Sequence, residues 1–172
     1  MLELKNQNFN HIKIHTQYSI CEGAIKIDNL KDFCKEKKIP CLGLSDTSNL
    51  CGALEFAENI SKVGTQPIIG TQIYFRFEDT TGLLPLIALN ENGYKRIIEL
   101  SSRSYLENDA LSDPHLDIKE LLIDVEGVSL LSGTIQGLFG KLFEKGRLDE
   151  ISKLYKSLSS KFNDNFYLEI QR

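Results

Sequence analysis

Three short stretches hold the side chains of this sequence that could do chemistry. In the first, His11, Lys13 and His15 alternate with apolar residues and are followed by Ser19 and Glu22. Successive side chains of a strand point to opposite faces, so these three would share one face. Two imidazoles can hold a metal ion when they converge on one point. Here they lie four positions apart with an ammonium between them, roughly 13 Å along a strand. Ordinary strand-end histidines therefore take precedence over a metal pair. The second stretch is Ser45-Asp46-Thr47-Ser48-Asn49, directly after an apolar run. Asp46 could act as ligand or base, but capping of the next helix is the commoner use, shared with Ser48 or Asn49. The third is Gly70-Thr71-Gln72. There is no phosphate-binding P-loop, no Gly-x-Gly-x-x-Gly and no nucleophile elbow.

The elements that must position these residues alternate between apolar runs and amphipathic stretches. Residues 9–14 read as a strand, 27–38 as a helix buried through Ile27, Leu30 and Cys34, and 41–44 as a short strand after Pro40. A helix capped by Ser48 is expected to run to about Lys62, with Leu50, Leu54, Ala57 and Ile60 inward and Gly64 as its stop. Strands are expected over 67–77 and 83–89, the second at a sheet edge or strand start because of Pro85. After the turn at 90–93 comes a helix burying Tyr94, Ile97, Ile98 and Leu100. Residues 108–114 form a loop, 128–131 a strand, 147–162 a helix with Ile151, Leu154, Tyr155 and Leu158 on one side, and 166–170 a final strand. This alternation predicts an α/β domain with a mainly parallel sheet and polar residues at the strand ends.

Composition limits the function classes. The chain has 172 residues, enough for one domain with an apolar core, with 41% hydrophobic and 26% charged residues. Its net charge of −4 is the wrong sign for a domain that holds DNA chiefly through phosphates. Lys35, Lys37 and Lys38, interrupted by Glu36, read as a solvated helix face. Cys21, Cys34, Cys41 and Cys51 contain no Cys-x-x-Cys pair and are expected as reduced, buried thiols. Residues 1–10 lack a signal-peptide core, and no apolar run reaches the roughly 20 residues of a membrane span, so a cytoplasmic protein is expected.

The order of several segments resembles the N-terminal polymerase-and-histidinol-phosphatase (PHP) domain of the alpha subunit of bacterial DNA polymerase III. They are Phe9 to Ser19, Leu44 to Gly52 followed by Phe56, Pro67-Ile68-Ile69-Gly70, Asn90 with Gly93-Tyr94, Leu130-Leu131-Ser132-Gly133, and Phe166 to Gln171. The resemblance implies an incomplete, distorted (β/α) barrel of the PHP type over residues 1–172. It would be truncated before the last strands, with the polymerase domains further along the chain. In metal-binding members a cleft at the strand ends holds divalent ions that activate water for phosphoester cleavage.

The departures from that pattern share one direction. Lys13 stands in place of a His paired with the one matched by His15, Thr47 in place of a His after Asp46, and Gln72 in place of an acid. Thr134 corresponds to a Cys. His11, Lys13, His15, Glu22, Asp46, Thr47, Gln72 and Thr134 would thus line a vestigial cleft. Only His15, Asp46 and Glu22 remain as weak ligands, and Lys13 is expected to pair with Asp46 or Glu22. The implied role is a metal-free scaffold that docks the proofreading exonuclease subunit and other replicase subunits. DNA and Mg2+ would belong to the parent polymerase. The alternative is an active phosphoesterase or proofreading exonuclease using Zn2+ or Mn2+.

Overall fold

The computed structural model of the protein describes residues 9–109 and 111–170. The leader reading of residues 1–8, and Gln171 of the last motif, lie outside them. Six strands form one sheet: β1 (Cys41–Thr47), β2 (Gln66–Phe77), β3 (Thr80–Ala88), β4 (Leu116–Asp117), β5 (Val128–Leu131) and β6 (Phe166–Tyr167). Six helices cover it: α1 (Ile27–Lys37), α2 (Ala53–Ser61), α3 (Glu91–Leu106), α4 (Ile118–Ile123), α5 (Leu138–Glu144) and α6 (Leu148–Phe162). The strand order is β1-β2-β3-β5-β6, with β4 beside the far end of β2.

The α/β class is as expected, but the sheet is mixed rather than mainly parallel. β1 and β2 are parallel, as are β5 and β6, whereas β3 runs antiparallel to both β2 and β5. The cause is the two-residue link Glu78-Asp79 between β2 and β3, with Glu78 at φ 53°. A parallel crossover needs about a dozen residues, so so short a link can only make a hairpin. β3 is also an interior strand. β5 pairs only with Leu86 to Ala88, so Pro85 lies beyond that ladder and its missing N–H breaks nothing there.

Two apolar cores hold the layers. Leu42 and Leu44 of β1 pack against Ile27, Leu30 and Cys34 of α1 and Ala53, Phe56 and Ile60 of α2. Ile73, Phe75, Leu84, Leu86 and Leu130 of the central strands pack against α3 to α6 through residues such as Ile97, Leu121, Leu142 and Leu158. Leu50 touches both. α2 starts five residues after Ser48, whose φ of 59° is not helical. Its buried stripe is therefore Ala53, Phe56 and Ile60, and Leu54 points to solvent. On α3, Ile97 and Leu100 are buried but Ile98 is exposed. Arg96 takes an interior place instead, donating from Nε to the Asp124 carbonyl at 3.1 Å and ion-pairing with Glu99 at 2.8 Å. On α6, Tyr155 is half exposed beside Phe166, while Leu154 and Leu158 are buried. Cys34 is buried as expected, but Cys21 and Cys51 are exposed, because both fall in turns rather than in the apolar elements.

The β2–β3 turn is tied to the start of α6 by Asp79, which accepts from Arg147 Nη2 at 2.7 Å. The guanidinium holds the Asp79 carboxyl down to about 2, below its unfolded value near 4. A depressed carboxyl stabilises the fold above the unfolded pKa and loses that contribution as pH falls through the folded one. Thermal midpoints of Asp79→Asn are therefore expected to lie slightly below the parent's at neutral pH and to meet them near pH 2. The gap is small because the pair faces solvent.

Candidate functional site

The site forms where the chain before α1 folds over the C-terminal end of β1. Residues 11–15 lie parallel to β1, with Gly43 N–H donating to the His11 carbonyl at 2.7 Å, Ile14 N–H to Gly43 at 3.1 Å and Ser45 N–H to Ile14 at 2.8 Å. The chain then turns through 16–23 and returns alongside Thr16. Gly23 permits that turn, since a Cβ there would stand 1.9 Å from the Thr16 carbonyl oxygen.

Asp46 ties the turn to the sheet. It is fully buried, and its Oδ1 accepts from the Thr16 N–H at 2.6 Å and the Ser19 hydroxyl at 2.7 Å. Its Oδ2 accepts from the Thr16 hydroxyl at 2.7 Å. The Ser19 oxygen in turn accepts the Thr47 N–H at 3.1 Å, and Thr71 donates to the Asp46 carbonyl at 2.6 Å. Asn49 completes the loop, donating to the Tyr18 and Thr47 carbonyls at 2.9 Å each. Tyr18 lies over Gly52 and donates to Glu55 at 2.6 Å, and that carboxylate holds its phenol above the ordinary value.

On the other face of β1, opposite Asp46 by strand alternation, opens a polar cleft of about 460 Å³. Lys13, His15, Glu22, Gln72, Thr134 and Glu169 line it, with the turn from Gly133 to Gly137 as one wall. The Thr47 hydroxyl donates to Glu22 and accepts from Gln72 Nε2, the latter at 2.7 Å. His15 Nδ1 is buried without a hydrogen-bond partner, and the nearest carboxylate oxygen, of Glu22, is 3.9 Å away. Lys13 Nζ lies 3.0 and 3.2 Å from the two oxygens of Glu169, each side chain being 15% exposed.

The structure thus brings Lys13, His15, Glu22, Thr47, Gln72 and Thr134 to one place and separates two others. His11 lines a different, largely apolar chamber of about 650 Å³ at the opposite end of the strands. Asp46 sits behind the cleft wall with its carboxylate occupied. Lys13 pairs neither with Asp46, which faces away from it, nor with Glu22, which is engaged by Thr47. Its partner Glu169 was missed. No local pattern along 166–170 points to it, since Tyr167, Leu168, Glu169 and Ile170 all line that chamber.

Chemically the cleft offers one imidazole, of His15, and one carboxylate free of an ammonium, of Glu22. The Thr47 hydroxyl already gives its proton to Glu22. Among the described residues no three His, Cys, Asp or Glu side chains converge closely enough to hold a metal ion.

Residues 11–172 match the family model described as "PHP domain". The chain is 36% identical to the DNA polymerase III subunit alpha of Caulobacter vibrioides over 181 residues, covering 100% of this chain and 16% of that one. It is 31% identical to the protein of the same name from Vibrio cholerae, covering 98% and 15%, and 34% identical to that of Rickettsia felis, covering 95% and 14%. It therefore spans about a seventh of the length of these relatives. Among solved structures it superposes on a proposed metal-dependent phosphoesterase from Bifidobacterium adolescentis with a TM-score of 0.42 at 18% identity, covering 88% of this chain and 56% of that one. An amidohydrolase from Chromobacterium violaceum gives 0.43 at 12%, covering 86% and 54%. With its matched residues running from the first strand to the last, the chain belongs to the PHP domain family.

Proposed function

We propose that this chain is the PHP domain of a replicative polymerase alpha subunit, and that it serves as a metal-free scaffold rather than as a phosphoesterase. The observation that carries the reading is the Lys13–Glu169 ion pair in the wall of the cleft. An ammonium there repels a dication and engages one of the two carboxylates of the cleft that could offset it. What remains is His15 with Glu22, while Thr47, Gln72 and Thr134 offer neutral oxygens or an amide. A catalytic zinc needs about three protein ligands, and a two-metal centre needs more.

On this reading the parent protein extends DNA with Mg2+ at carboxylates outside this chain. The PHP domain gives it structural support and a face for the proofreading exonuclease subunit. The net charge of −4 supports docking to protein rather than direct hold on DNA. None of the helices among the described residues is long and apolar enough to cross a membrane, consistent with a partner in the replicase.

Metal content tests the reading. Protein purified without chelator, offered Zn2+ and Mn2+ and then desalted, is expected to hold less than about a tenth of an ion per chain by elemental mass spectrometry. A stoichiometry of roughly two, lost in His15→Ala, would overturn it in favour of an active phosphoesterase.

A further inference from the structure

We propose that the Asp113–Pro114 peptide bond is a self-cleaving site, at which the folded chain nicks itself with help from the His115 imidazole. The site lies outside the cleft, and the inference does not depend on whether the cleft holds a metal.

Between α3 and β4 the chain runs over the surface, with Leu111, Ser112 and Asp113 exposed. Its path is fixed by Asn108, whose Nδ2 donates to the Ser104 carbonyl at 2.8 Å and to the His115 carbonyl at 2.6 Å. Leu116 and Asp117 then join the sheet beside Phe75 and Arg76. Arg76 Nη1 comes to 3.3 Å from His115 Nε2, and His115 Nδ1 lies 2.8 Å from the Asp113 carbonyl oxygen. A guanidinium only donates and a carbonyl oxygen only accepts. The ring is therefore held with Nε2 as acceptor and its proton on Nδ1, directed at the Asp113 carbonyl.

That carbonyl belongs to a bond of special chemistry. Pro114 is the only one of the four prolines that follows an Asp. After most Asp residues the next backbone nitrogen attacks the side chain and forms an imide, but Pro114 has no N–H and closes that route. The Asp113 carboxylate is left to attack its own carbonyl carbon. One Oδ forms a bond to that carbon, and the π pair moves onto the carbonyl oxygen, where the Nδ1–H stabilises the negative charge. Return of the pair breaks the bond to the Pro114 nitrogen, which takes a proton from water and leaves a cyclic anhydride at residue 113. The hydroxide so formed opens the anhydride, and the proton of the new carboxyl passes to the Pro114 amine. One water is consumed and no other reactant is needed. Leu116, Ile118 and Leu121 are buried in the core with Phe75 and Ile97, so the elements on either side of the cut keep their packing.

The test follows the full chain at about pH 6, where ordinary Asp carboxyls are ionised, beside the same chain unfolded in urea. Intact mass spectrometry counts the fragments that end at Asp113 or begin at Pro114. The folded parent is expected to cleave about tenfold faster than the unfolded chain, a modest share of what an oxyanion donor supplies in a closed site. His115→Ala is expected to fall to the unfolded rate, and Asp113→Ala, which lacks the attacking carboxylate, to stop cleavage. Equal rates for folded and unfolded chain, or for parent and His115→Ala, overturn the proposal, since the bond would then show only the lability of its sequence. Cleavage that survives Asp113→Ala overturns it too, by assigning the cut to a protease. The comparison of folded with unfolded parent needs no variant, so it decides the question even where a substitution disturbs folding.

Discussion

Asp46→Ala is expected to lower the stability of the domain by about 3–5 kcal/mol and its thermal midpoint by roughly 10 °C. The carboxylate is fully buried and receives three protons: the Thr16 N–H at 2.6 Å, the Thr16 hydroxyl at 2.7 Å and the Ser19 hydroxyl at 2.7 Å. Thr16 and Ser19 are themselves buried, so none of these donors reaches water when the acceptor is removed. Leaving a buried donor unpaired costs about 1–3 kcal/mol, and the N–H cannot turn away as a hydroxyl can. Asp46→Asn keeps one oxygen for the N–H and Ser19, and its amide can donate to the Thr16 oxygen. A loss of about 1–2 kcal/mol is expected there. Ser19→Ala in the Asp46→Ala background is expected to add little, because its bond is already gone. Denaturant unfolding of the parent, Asp46→Ala, Asp46→Asn, Ser19→Ala and the Asp46→Ala/Ser19→Ala double variant settles the matter: an Asp46→Ala loss under about 1 kcal/mol, or strict additivity with Ser19→Ala, would remove Asp46 from its place as the tie between turn and sheet.

That role was half legible in the sequence. Asp46 after an apolar strand reads equally as a ligand, a base or a cap. The structure uses it for none of these in the form expected, because its acceptors are filled by a turn about 30 positions earlier. Pairings of such separation leave no local pattern. The same reason hides Glu169, which lies 156 positions from Lys13. What was legible is what periodicity dictates. α1, β2, β5 and α6 appear within a few residues of their expected bounds, since each is an apolar stripe of its own period. The sequence predicts helix at 48–52 because Ser48 and Asn49 are favoured caps. Their polar groups serve the turn instead: Ser48 N–H donates to the Gln72 carbonyl at 2.7 Å and Asn49 bonds Tyr18 and Thr47. Short elements such as β4 and α5 went unread, being set by the strands they pack on rather than by their own sequence.

Gly43→Ala is expected to cost about 2–3 kcal/mol by crowding residues 11–14 off β1. At this position a Cβ would stand 2.3 Å from the Ile12 carbonyl oxygen and 2.5 Å from the Ile12 carbonyl carbon and Cα, all backbone atoms that no rotamer change can move aside. Gly64 supplies the contrast. Its φ of +80° strains any other residue, yet a Cβ there meets nothing within 4 Å. Gly64→Ala should therefore cost only the backbone term of about 1 kcal/mol and leave the cleft untouched. In Gly43→Ala the bonds from Gly43 to His11 and from Ile14 to Gly43 lengthen or break, and Lys13 and His15 shift with them. Amide exchange should rise over residues 11–15 while β1 stays paired with β2 through its seven-residue register. Unchanged exchange over residues 11–15 would mean that β1 can yield at Gly43, and the close approach of the two segments would not be what positions Lys13 and His15.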